Sequence, residues 1–183
     1  MSLKSLDIIF ALELAIADER SRSYAELGRA TGLSASEANQ SARRGVLAGL
    51  LSPGASKFDK PRVRTQALLK FLEHGVPCAF FAAPGRVVRG VPTAHSAPPL
   101  DRQISAGEEL AFVWASADGT VRGRAIEPLH PSAPRLATTN PRLYELLALV
   151  DALRVGDARE RKLALNELET RLTANKHAAE ANA

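Results

Sequence analysis

A single cysteine, Cys78, stands among 183 residues. That excludes an internal disulfide and a thiolate-rich zinc site, and it fits a reducing compartment, so a cytoplasmic location is the expectation. Long apolar runs are also missing. The opening "LDIIFALELAI" is short, is interrupted by Asp7 and Glu13, and lacks the basic start and small-residue cleavage site of a secretory signal. It reads as a helix of the fold, and no membrane is expected as a partner. Glycine-rich phosphate loops are absent, because neither "SPGASK" nor "APGRVVRG" has the required spacing and context. His95 and Ser96 are neighbours, but neighbours in an extended loop point apart, and no acid is placed to orient the imidazole. His74 and Cys78 stand four apart, yet Gly75 and Pro77 break the helix that would join them, and only His95 and His130 remain as further ligands. Neither catalysis, a cofactor nor a metal is expected.

What is present is an ordinary globular composition, 45% apolar and 24% charged, in a length that suits one domain or two small ones. The net charge of +4 is unevenly placed. From Arg20 to Lys70 ten basic residues meet three acidic ones, and the remainder of the chain is slightly acidic. Such asymmetry is expected where one part of a chain meets a polyanion.

That basic segment is also the best patterned. Leu6, Ile9, Phe10, Leu12, Ile16 and Ala17 recur at helical spacing and predict a first helix. Ser23 and Glu26 form a Ser-x-x-Glu capping box, and Gly32 is a left-handed stop, so a short second helix is predicted over 24–30. Ser34 and Glu37 repeat the box and start a third helix near Ala35, after the short connection of a helix-turn-helix. Along it Ala38, Ala42 and Gly45 make a small-residue face for packing against the second helix. Ser36, Asn39, Gln40, Arg43 and Arg44 take the other side. These side chains suit a groove: Asn and Gln pair with adenine edges, Arg with guanine edges, and Ser or Arg with phosphate.

Residues 23–51, with "LSASEANQSARRGVLAGLL" in the place of the recognition helix, resemble the winged helix-turn-helix transcription regulators of the MarR type. The resemblance implies that Ser36, Asn39, Gln40, Arg43 and Arg44 sit in the major groove of double-stranded DNA, and that a wing follows Gly49-Leu50-Leu51. The wing departs from the pattern. "LLSPGASKFDKPRVR" has a turn at Pro53-Gly54 followed by cations, of which Lys57 and Lys60 are candidate phosphate contacts, but Pro61 and the helical run after it make the wing short.

Beyond it, "VRTQALLKFLEHG" predicts a fourth helix that buries Val63, Ala67, Leu68, Phe71 and Leu72 and stops at Gly75. "CAFFAA" predicts a short strand, and "EELAFVWASADGTVRGRAIEPL" a hairpin turning at Asp118-Gly119, with Leu110, Phe112 and Trp114 on one face of its first strand and Arg122 and Arg124 projecting together from the second. Between them "PGRVVRGVPTAHSAPPLDR" reads as a stiff extended connector, or as a ligand or partner loop carried by Arg86, Arg89 and His95. Two helices close the chain, one capped by Asn140 with Pro141 in its first turn, the other starting at Asp157.

The expected fold is therefore α+β: an N-terminal winged helix-turn-helix over 1–75, a small antiparallel β unit with two C-terminal helices over 76–176, and a disordered tail over 177–183. The expected function is a sequence-specific transcription regulator that reads duplex DNA as a homodimer, with the second half sensing a small-molecule effector, dimerising or holding a partner protein. The competing class is a non-catalytic interaction module, such as the antitoxin-like partner of an operon-encoded protein.

Overall fold

The computed structural model describes residues 2–17, 23–54, 59–104 and 110–181, with side chains to residue 174. It is a mixed α+β fold. Helix α1 (Ser5–Ile16) is buried along almost its whole length, α2 (Tyr24–Thr31) and α3 (Ala35–Leu47) follow, and a two-stranded antiparallel hairpin pairs β1 (Leu51–Ser52) with β2 (Arg62–Val63). Both expected capping boxes form: Ser23 Oγ accepts from Glu26 N–H at 3.3 Å and Ser34 Oγ from Glu37 N–H at 3.2 Å. Gly32 ends α2 at φ 75°, a backbone state that costs a residue with a Cβ about 1 kcal/mol.

The helix after the hairpin is longer than its sequence pattern implied. α4 (Thr65–Lys70) runs through a π-helical segment (Phe71–Gly75) into α5 (Val76–Ala79), so Gly75 is not a stop. The five-residue hydrogen bonding accommodates Gly75, where a Cβ would stand 2.4 Å from the Phe71 ring. Leu68, Leu69, Leu72 and Val76 are buried. "CAFFAA" is consequently the end of this helix and an unpaired extended stretch, not a strand.

The strands lie elsewhere. β3 (Val87–Pro92), within the stretch read as a connector or loop, pairs antiparallel with both β4 (Phe112–Ala115) and β5 (Val121–Ala125), while β4 and β5 pair with each other in parallel, closing a three-stranded barrel. The expected Asp118-Gly119 hairpin is therefore wrong. Gly119 is needed for space rather than for a positive φ: a Cβ there would lie 2.2 Å from the Gly90 carbonyl carbon. The barrel interior is equally tight, since a Cβ on Gly90 would be 2.1 Å from the Trp114 oxygen and one on Gly123 2.2 Å from the Ala111 oxygen. Leu110 precedes β4 and is exposed, whereas Val113 and Trp114 are buried.

A short helix that the sequence pattern did not reveal, α6 (Ala133–Thr139), precedes α7 (Pro141–Val155) and α8 (Ala158–Ala181), the last continuing through most of the segment expected to be a tail. Asn140 caps α7 as expected, accepting from Leu143 N–H at 3.3 Å. α7 is buried on nearly every side and packs on α1, α6 and α8, so one apolar core joins both expected domains across position 75.

Candidate nucleic-acid interface

The orientation of α3 follows from one buried contact. Arg44, expected in the groove, is buried: its Nε donates to Asp7 Oδ2 at 2.8 Å and its Nη2 to Asp7 Oδ1 at 2.6 Å, with Ser41 Oγ at 3.3 Å. Asp7 also accepts the Lys4 N–H at 2.8 Å. The reason is angular. Positions 41, 44 and 45 share the side of α3 that faces α1, and the carboxylate within apolar α1 requires a charged, hydrogen-bonded partner. A guanidinium supplies two parallel donors. Arg44 is thus a positioning residue, and the carboxylate in "LDIIF" was the signal that could have revealed it.

The same contact turns the remaining polar side chains outward. Ser36, Gln40 and Arg43 are exposed and Asn39 is half-buried, and none makes a hydrogen bond or ion pair within the described residues. Ala38 and Ala42 face inward as expected, and Gly45 lets β1 close on α3, since a Cβ there would meet Leu51 Cδ1 at 2.7 Å. Arg64 Nη1 donates to the Gly49 carbonyl at 3.2 Å, fastening the hairpin to the end of α3. Lys60 is half-buried beside Glu26, and Lys57 lies outside the described residues. Arg62, which pattern reading passed over, is exposed on β2.

The C-terminal part of α3 has a different character. Leu47 is 73% exposed, and with Tyr24, Val46, Pro53 and Pro61 it borders an open, mainly apolar hollow of about 390 Å³. The turn before α3 is held from outside: the Ser132 hydroxyl donates to the Thr31 carbonyl at 3.0 Å, and the Ser132 N–H donates to His130 Nδ1 at 3.2 Å. Burial pushes His130 down from its ordinary range against the pull of Glu37, which suits an imidazole that accepts at Nδ1. Asn140 Nδ2 reaches Glu13 Oε2 at 2.8 Å and the Ala30 carbonyl at 3.1 Å, tying the start of α7 to α1 and α2.

Of the residues expected to form a ligand or partner loop, Arg86 and Arg89 are exposed at the barrel, whereas His95 is buried under α8. His95 Nδ1 stands 2.9 Å from Glu160 Oε1, close enough for an ion pair but not aligned as a hydrogen bond. These three side chains do not converge on one site, so the stretch from 84 to 102 contributes a strand and a buried contact. Among the described residues no group of three or more His, Cys, Asp or Glu side chains could hold a metal, and no helix is long and apolar enough to cross a membrane.

Comparison with protein-family models, curated proteins and solved structures returned no match.

Proposed function

We propose that the chain binds double-stranded DNA and regulates transcription, presenting Asn39, Gln40 and Arg43 of α3 to base edges in the major groove and Ser36 to the adjoining phosphates. The observation that carries this reading is the outward polar face of α3, without partners among the described residues and fixed in rotation by the Arg44 to Asp7 contact. The hairpin, fastened at Gly49 and bearing Arg62, is the wing of the same reading; Lys60 contributes charge from the loop that joins its strands. The MarR-type resemblance of residues 23–51 supports it, as does the basic balance of the segment from 20 to 70. One recognition helix reads one half-site, so the working form is a homodimer on a two-fold operator.

Selection of bound sequences from a random duplex pool, followed by anisotropy titration of the winners, tests it. Arg43→Ala is expected to cost about 1–3 kcal/mol of binding and to relax preference at one position. Unchanged affinity and preference would remove Arg43 from the readout, and a pool without enrichment would sink the reading.

The hollow beside Leu47 favours a second reading, a protein-docking module of antitoxin-like character. An exposed leucine beside prolines and a tyrosine is the chemistry of a partner anchor rather than of a phosphate contact. Leu47→Asp separates the two: it abolishes partner capture under the docking reading and leaves the selected DNA sequences unchanged under the first.

A further inference from the structure

The barrel carries its own unbalanced charge. In the β3 and β5 register Arg89 stands directly opposite Arg122, and Val87 opposite Arg124, so three arginines share the outer face. All three are exposed. Antiparallel partners sit about 5 Å apart at Cβ, and like charges directly opposite each other destabilise a sheet. Among the described residues nothing offsets that cost. No carboxylate of the described residues lies within 4.0 Å of these guanidiniums, and the one hydrogen bond among them runs from Arg124 Nη2 to the Pro84 carbonyl at 3.3 Å. Elsewhere the chain pairs its arginines closely, as at Arg44 and Arg154. The strands approach each other closely at Gly90, Gly119 and Gly123, so the facing pair sits on tightly packed backbone.

We propose that this outer face, Arg89, Arg122 and Arg124, is a second contact with the sugar-phosphate backbone of duplex DNA. It rests on the DNA reading of α3 for the identity of the polyanion, but its own chemistry is independent of base sequence. Guanidiniums match phosphate oxygens as two-pronged donors, and neutralised phosphates release counterions. A duplex is favoured over a single strand because the aromatic positions that share this register on β4 are already packed, Phe112 half-buried against the His95 ring and Trp114 buried, which leaves no open ring on which a base could stack.

The test is the salt dependence of binding by the full chain to a selected duplex and a scrambled duplex of equal length, with a single strand and poly-glutamate as competitors. The variant R89A/R122A/R124A is expected to lower the slope of log K against log salt by about 2 to 3, equally on both duplexes, and to keep the preference between them. R89A and R122A alone are expected to lower it by about 1 each, and thermal midpoints at or above that of the wild type show that the fold is kept. N39A/Q40A/R43A should lose the preference while retaining the barrel-dependent slope. A triple variant that matches the wild type in slope and affinity overturns the proposal and leaves α3 untouched. Competition by single strands or poly-glutamate as effective as by duplex overturns the assignment to duplex backbone. A wild type without preference whose slope still falls in the triple variant keeps the barrel contact and sinks the reading of α3; a wild type that binds no duplex overturns both.

Discussion

Each half of the chain buries an aspartate against an arginine, and the two pairs are built differently. Asp7 and Arg44 lie 37 residues apart, and the pair joins two helices. Asp151 and Arg154 lie one turn apart on α7, and the pair branches. Asp151 Oδ1 accepts from Arg154 Nη1 at 2.5 Å, and Oδ2 accepts from Thr93 Oγ1 at 2.8 Å and Trp114 Nε1 at 2.6 Å. Arg154 in turn donates to the Phe80 carbonyl at 2.7 Å and the Glu127 carbonyl at 2.9 Å. The first pair therefore sets the rotation of one helix, while the second is a hub that ties loops and the barrel to the central helix. Burial pushes the Asp151 carboxyl up, against the pull of its Arg154, Thr93 and Trp114 donors.

The comparison predicts unequal losses. Asp151→Ala strands Arg154 and releases Trp114 and Thr93 together, and chemical denaturation should show a loss near the top of the range for a broken buried pair, about 5 kcal/mol. Arg44→Ala leaves Asp7, among the described residues, with the Lys4 N–H and should cost about 3 kcal/mol. Equal losses would show that the branches of the hub carry no energy of their own. The double variant D7L/R44M sharpens the contrast: replacement of both partners by apolar groups is often close to neutral in stability, so the fold should survive. If the pair serves to orient α3, sequence preference in DNA binding should then fall. A stable double variant with wild-type preference would make the pair a packing feature only.

The contrast also explains what was legible from the sequence. Capping boxes, the left-handed Gly32 and the Asn140 cap are local devices, and residues 23, 26, 32, 34, 37 and 140 take up the roles their spacing implied. Long-range pairing is not local. Arg43 and Arg44 are adjacent and alike in sequence, and only their roughly 100° separation around α3 sends one outward and the other to Asp7. The barrel was hidden for a related reason. In "VVRGVP" the buried position is Gly90, which gives no hydrophobic alternation, and Asp118-Gly119 suited a hairpin although both flanking strands pair with β3. α7 is buried nearly all round because α1, α6 and α8 pack around it, so it shows no polar stripe to mark its surroundings.

A smaller loss should follow from Gly90→Ala. The added methyl would meet backbone rather than a flexible side chain, so overpacking should cost about 2–3 kcal/mol, near the top of its usual range. The measurement that checks it is again denaturation, with Arg43→Ala as the reference: Arg43 is exposed, and its removal should stay within about 0.5 kcal/mol. A Gly90→Ala variant as stable as that reference would mean that the barrel interior can relax.

The smallest effect belongs to the surface carboxylates that start α2 and α3, where solvent screens what burial amplifies at the two arginine pairs. Hydrogen bonds from Ser23 hold the Glu26 carboxyl below its ordinary range, and those from Ser34 do the same for Glu37. A carboxyl depressed in the folded state contributes stability that is fully present above its unfolded pKa and is lost as pH falls through the folded value. The loss should therefore begin as pH falls through the ordinary glutamate range, be complete only below it, and stay local. The Ser23 and Ser34 amides, which donate to these carboxylates at 2.6 and 2.8 Å, should lose exchange protection on acidification before the Trp114 indole does. In E26Q/E37Q the amide oxygen can accept the same bonds without titrating, so the acid-dependent step should disappear. Loss of indole protection before the serine amides would reverse the ranking and make the hub, rather than the helix starts, the acid-sensitive part of the molecule.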